Sequence, residues 1–123
     1  AYNHRITMEL FSSVLSLIKN AFGSIIRLIQ RFIHGVLSFY RHVVDWFKKY
    51  NLQAGRDIPF VVENQKVKDL LNVAPKHSCG IFKGVYNEET DSITHHEFIG
   101  AEKLDEETKS VLNKSTEGIV VLQ

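Results

Sequence analysis

The chain is poor in residues that constrain a backbone from outside. One cysteine, two prolines and seven glycines occur in 123 residues, so no internal disulfide can form and few breaks are imposed. A disulfide-stapled scaffold and a collagen-like repeat are excluded, and a lone thiol fits a reducing, intracellular compartment. An excess of one charge is also missing. Fifteen basic and fourteen acidic residues leave a formal net charge of +1, which supplies no overall attraction for nucleic acid. Long uncharged apolar runs are absent too: the N-terminal half offers Leu10 to Ile18, about half of the ~20 residues that a membrane-spanning helix requires. A cleaved signal peptide fits no better, because the apolar pattern continues past any plausible cleavage site.

What is present is an ordinary globular composition, 44% hydrophobic and 24% charged, which excludes intrinsic disorder. The charges are segregated. Residues 1–50 carry seven basic residues against Glu9 and Asp45, whereas residues 51–123 carry eight basic and twelve acidic ones. The division suggests a basic amphipathic helical region over 1–50, a linker over 51–57 and a small acidic α+β domain over 58–123.

The basic half repeats apolar residues at steps of seven. Met8, Leu15, Phe22, Ile29, Val36, Val43 and Tyr50 form one row, and Phe11, Ile18, Ile25, Phe32, Phe39 and Trp46 form a second. Two such rows share one face of an α-helix. Val14, Ala21, Ile26, Leu28, Ile33, Tyr40 and Phe47 flank them, so the face is wider than a coiled-coil seam. A continuous helix from Thr7 to Tyr50 would be about 65 Å long at 1.5 Å per residue. Such a helix must fold into a hairpin, with Gly23 and Gly35 as its weak points, or pair with a second chain.

The opposite face carries a basic stripe of Lys19, Arg27, Arg31, Arg41 and Lys48, with His34 among them. Nucleic acid is not expected to bind there, because the aromatic residues lie on the other side and cannot stack on the same bases. A basic polar face backed by Phe and Trp suits an anionic membrane surface. The expected function is therefore that of a non-enzymatic interaction protein. Phe11, Ile18, Phe22, Ile25, Ile29, Phe32, Phe39 and Trp46 would serve self-association, contact with another protein, or peripheral membrane attachment. Its place would be the cytoplasm or the edge of a membrane. Burial of the same face in the chain's own core is the competing structural reading.

Beyond Gly55 the pattern shortens. Ile58 to Val62 reads as a strand, with Pro59 near its start suggesting an edge or first-residue position, and Asn64 can cap a short helix containing Val67, Leu70 and Leu71. Cys79 to Tyr86 and Ile93 to Ile99 read as a hairpin around a polar turn at 87–92. Asp105 opens a second helix, with Glu106 and Glu107 in its first turn, and Gly118 to Leu122 reads as a central strand. The order strand, helix, strand, strand, helix, strand resembles the split βαβ arrangement of ferredoxin-like folds. The fold class is thus α+β, a long N-terminal helix or helical hairpin followed by this small domain.

Three groups bear on chemistry. His77, Cys79, His95 and His96 are the nitrogen and sulfur donors that zinc accepts, but their spacing matches no zinc pattern. Cys79 with His95 or His96 would be a nucleophile and base in an enzyme, the alternative function from another class. Glu97, Glu102, Asp105, Glu106 and Glu107 form an acidic cluster that helix capping already explains. No cofactor is expected. Finally, Ala1 and the closing Val120-Val121-Leu122-Gln123 resemble the termini released by viral chymotrypsin-like polyprotein proteases. That resemblance implies a further alternative, a non-structural protein derived from a viral polyprotein.

Overall fold

Ile81, Lys83 and Val85 alternate with Phe82, Gly84 and Tyr86 along one extended segment, and Gly80 to Tyr86 are all buried. Such a strand must be covered on both faces. In the computed structural model, which describes residues 13–25 and 27–122, it is the middle strand of a five-stranded sheet. Helix α1 occupies 13–21 and is followed by a 3₁₀ turn over Phe22–Ser24. Then come β1 (Gln30–Leu37) and α2, a wide π-helical turn over Tyr40–Val44 that continues as α-helix over Asp45–Lys48. The remaining elements are β2 (Asp57–Glu63), α3 (Asn64–Leu71), β3 (Gly80–Asn87), β4 (Ser92–Leu104), α4 (Glu106–Leu112) and β5 (Ile119–Val121).

The strand order is β1-β4-β3-β2-β5. Strands β2 to β5 are antiparallel to their neighbours, and β1 runs parallel to β4 at the far edge. Three successive antiparallel strands with the fourth returning beside the first make a Greek key. The ferredoxin-like order is therefore not formed: α3 joins the adjacent antiparallel strands β2 and β3 instead of crossing between parallel ones. The expected central strand at the C-terminus, β5, lies at an edge. Strand β2, for which Pro59 suggested an edge or first-residue position, lies inside the sheet with Pro59 as its third residue. Pro59 is accommodated there because its carbonyl faces the β5 side, where it accepts Leu122 N–H. Its nitrogen faces the same side, opposite Leu122 at the end of the β5 pairing, so the missing N–H leaves this terminal pair with one bond in place of two and breaks no bond to β3.

Both faces of the sheet are covered. On one, Leu15, Ile18 and Phe22 from the α1 segment and Val67 from α3 pack on Phe60, Phe82, Phe98 and Ile119. On the other, Val43, Trp46 and Phe47 of α2 pack on Val61, Ile81, Val85 and Ile99. Burial of each of these large side chains stabilises the fold by roughly 1.5–3 kcal/mol.

Over the described residues, neither the continuous helix to Tyr50 nor the helical hairpin is formed. The α-helix stops at 21, and residues 30–37 are a strand in the middle of the predicted helical register. Apolar residues between Ile25 and Phe39 are dense enough to fill both faces of a strand, so period alone does not decide between helix and strand. Pairing along β4 settles it. Gly35, one of the two suspected weak points, has φ +95° beside the irregularity in β1–β4 pairing between Ile33 and Val36, a backbone conformation that favours glycine.

Asn64 does not cap α3, whose N-cap is Glu63. Its buried side chain instead accepts from Gln30 Nε2 at 3.2 Å and donates to the carbonyls of His77 and Ser78. Gln30 Oε1 accepts from His77 N–H at 2.8 Å. Gln30 thus lies beside Gly80 and Gly100, which face each other across β3 and β4. A Cβ at Gly80 would stand 2.2 Å from the Ile99 carbonyl oxygen and 2.9 Å from Gly100 Cα. Gly80→Ala is expected to destabilise the protein by about 2–3 kcal/mol, whereas Gly23→Ala, which meets nothing within 4 Å, should stay within about 0.5 kcal/mol of the parent. Urea denaturation of the two variants checks this, and equal midpoints would refute the close approach of the two strands.

Candidate functional site

The alternation of β3 places Lys83 on the same face as Ile81 and Val85, beneath α2. Its side chain is 2% exposed. Directly across the ladder stands Glu97 of β4, whose Oε1 lies 3.1 Å from Lys83 Nζ. The ammonium also donates to the His42 carbonyl and sits 4.5 Å from the centre of a Trp46 ring. Burial pushes the Lys83 ammonium down to about 8, against the opposing pull of Glu97. Burial also works against the Glu97 carboxylate, but the Arg31 hydrogen bond and the Lys83 charge outweigh it and hold its pKa below the ordinary value.

Arg31 reaches Glu97 from β1 through Nε at 3.2 Å and Nη2 at 3.4 Å. Above the pair, His42 accepts the Ser38 N–H on Nδ1 at 2.8 Å. Burial and the neighbouring Lys83 charge lower the His42 pKa, so its remaining ring proton is on Nε2 in the neutral form. Arg31, Arg41, His42, Asp45, Trp46, Lys49, Lys83 and Glu97 surround a polar pocket of about 300 Å³. With Nζ engaged by a carboxylate, a carbonyl and an aromatic face, Lys83 acts as a buried cation that ties α2 to the sheet.

A larger apolar cleft of about 960 Å³ lies between α2 and the β2–β5 edge, among Phe39, Val44, Phe47, Leu52, Ile58 and Leu122. Lys48 and Asp57 are its charged lining residues, and Asp57 is already committed to Arg56 and to Gln53 N–H.

The metal and nucleophile candidates are not brought together. His95 and His96 are successive residues on β4 and point to opposite faces: His95 stacks on Tyr50 at 3.9 Å, and His96 stacks on Phe82 at 5.8 Å. His77 packs on Phe32 at 4.3 Å. Cys79 precedes Gly80, which pairs with Gly100, whereas His95 pairs with Val85. That separation is five residues along the strand, roughly 16 Å. Burial raises the Cys79 thiol above its ordinary value, the opposite of what a nucleophile needs. Among the described residues, no group of three or more His, Cys, Asp or Glu could hold a metal ion. The acidic cluster is dispersed as well. Asp105 caps α4 by accepting from Thr108 N–H and also accepts Phe39 N–H, while Glu97 belongs to Lys83 and Arg31.

The apolar residues expected to face a partner or a membrane are mostly inside. Ile18, Phe22 and Trp46 are buried, Ile25, Phe32 and Phe39 are half-buried, and Ile29 is 75% exposed. Phe11 lies outside the described residues. The basic stripe is dispersed with the helix that would have carried it. Lys19 on α1 pairs with Glu117 at 2.6 Å, Arg31 belongs to β1, Arg27 lies exposed before β1, and Arg41 and Lys48 are exposed at the two ends of α2. Sequence reasoning passed over Lys83, although a lone lysine in the run Ile81-Phe82-Lys83-Gly84-Val85 shares the strand face of Ile81 and Val85 and must be buried with them.

Among the described residues no helix is long and apolar enough to cross a membrane. Comparison with known proteins returns no matching family model, no similar curated protein and no similar solved structure.

Proposed function

We propose that the protein is a non-enzymatic interaction protein that self-associates through the outer edge of β1. One observation carries this reading. Of the four exposed large apolar residues among those described, Ile29, Val36 and Tyr40 lie on β1 or within three residues of it, at 75%, 41% and 66% exposure. Among the described residues, β1 is the longer of the two edge strands and is paired on one side only. The N–H and C=O groups along its other side, unpaired by any described strand, template pairing with another strand. The irregularity after Ile33 leaves Gln30–Ile33 as the regular stretch. A two-fold axis beside it would pair β1 with β1 of a second copy and cover the apolar residues of both.

Light scattering over a concentration series, with and without anionic vesicles, tests the reading. The expected result is a dimer mass that persists in the absence of lipid and falls to the monomer in Val36→Lys/Tyr40→Glu. A monomer at every concentration, or association that appears only on the vesicles, would overturn it.

A further inference from the structure

We propose that the polar pocket between α2 and β1, β3 and β4 is a binding site for a phosphomonoester group. Four fixed cations, Arg31, Arg41, Lys49 and Lys83, line it against two carboxylates, Asp45 and Glu97. Glu97 is shared by Lys83 and Arg31. Among the described residues, neither Arg41 nor Lys49 has a carboxylate within 4.0 Å, and neither side chain donates a hydrogen bond to the protein. The pocket therefore carries a surplus of two positive charges, with both unpaired cations at its rim.

The mutual influence of these groups follows from the same geometry. Arg31 and Lys49 each disfavour the charged form of Lys83, and Lys83, Arg41 and Arg31 each disfavour protonation of His42. All of them therefore share one positive field, and an anion placed within it would relieve their repulsion.

The donors narrow the class of anion. Arg31 uses Nε and one Nη2 hydrogen on Glu97, so three of its five N–H donors remain, and Arg41 and Lys49 add their full sets. A phosphomonoester carries about −1.5 to −2 at neutral pH and offers three terminal acceptor oxygens. It matches the surplus charge, whereas a carboxylate or a phosphodiester brings a single charge. The pocket's volume of about 300 Å³ admits a phosphate together with part of the group it esterifies. Lys83 closes the floor and Trp46 forms part of the wall. No covalent step is involved: the site holds the anion through charge-assisted hydrogen bonds.

Phenyl phosphate, inorganic phosphate and sodium chloride at matched ionic strength are the probes, added to the full chain and followed by amide chemical shifts and calorimetry. Phenyl phosphate is expected to bind with shifts centred on Arg31, Arg41 and Lys49. Arg41→Gln and Lys49→Gln should each weaken it at least fivefold while leaving the denaturation midpoint in chloride unchanged. Both positions are exposed, so the variants should fold. A response to chloride equal to that for phosphate, or undiminished binding in both variants, would overturn the proposal. Tighter binding of a single-stranded RNA without a terminal phosphate than of phenyl phosphate would also overturn it, in favour of a surface that follows phosphodiesters.

Discussion

Glu97→Gln is expected to destabilise the protein by about 3 kcal/mol at neutral pH. The Lys83 side chain is 2% exposed and its ammonium rests 3.1 Å from the Glu97 carboxylate. Breaking a buried pair by removing one partner leaves an uncompensated charge, which typically costs about 3–5 kcal/mol. Replacing both partners removes that liability, so Lys83→Met/Glu97→Gln should recover much of the loss, because methionine fills the volume of the lysine stem beside Trp46. Denaturation of the parent, both single variants and the double variant closes the cycle. A double variant no more stable than Glu97→Gln would sink the assignment of Lys83 as a buried cation.

The same residue gives stability a pH signature. Folding lowers Lys83 from its ordinary 10.5 to about 8. Between those values the unfolded chain holds a proton that the folded one has released, so the Lys83 contribution to stability rises as pH increases across the interval. Cys79 and Tyr86 act in the opposite sense, since burial raises both and pushes Tyr86 up to about 12. The difference between parent and Lys83→Met isolates the lysine. It should favour the parent increasingly from about pH 8 to about 10.5.

Ile18→Asp carries the other large effect. Ile18 is fully buried between α1 and the sheet, whereas its neighbour Leu17 is 38% exposed. Truncating a buried isoleucine costs about 2–5 kcal/mol, and a carboxylate without a partner adds a desolvation penalty. The sum approaches the whole stability of a small domain, about 5–15 kcal/mol. Ile18→Asp should therefore unfold at a much lower denaturant concentration or fail to fold, while Leu17→Asp should lose about 1 kcal/mol or less. Comparable midpoints for the two would refute the packing of α1.

The strong periodic signal in the chain predicted less than the weak ones. Steps of seven put Ile18 and Phe22 on one helical face, and α1 with the turn that follows it does bury both. From Ile25 onward the same steps coincide with apolar residues that also lie between them, and β1 uses Ile33 and Leu37 on a sheet face. A seven-residue period cannot report that change, because partner strand β4 lies more than sixty residues away. The hairpin, the short helix at 64–71 and the Asp105 cap were legible because each depends on neighbours within a few positions. Strand order was not legible, since the same sequence of elements suits either a Greek key or a split βαβ unit.

The candidate site was hidden for a related reason. Lys83, Glu97, Arg31 and Arg41 come from four elements, and no spacing in the sequence brings them together. What could be read was the anomaly of a lysine inside an apolar strand. That anomaly marks the place where the sheet and α2 meet around charge.

The parallel ladder at the sheet edge also orders events in time. Gln30 meets Phe98 and Leu37 meets Leu104, so β1 has no ladder to join until β4 exists. The β3–β4 hairpin closes over a few residues and carries a small loop entropy, whereas docking β1 closes a loop of more than sixty residues. Made first during synthesis, β1 is the strand that must wait, and the edge it completes gains its outline only after the hairpin it docks on has formed.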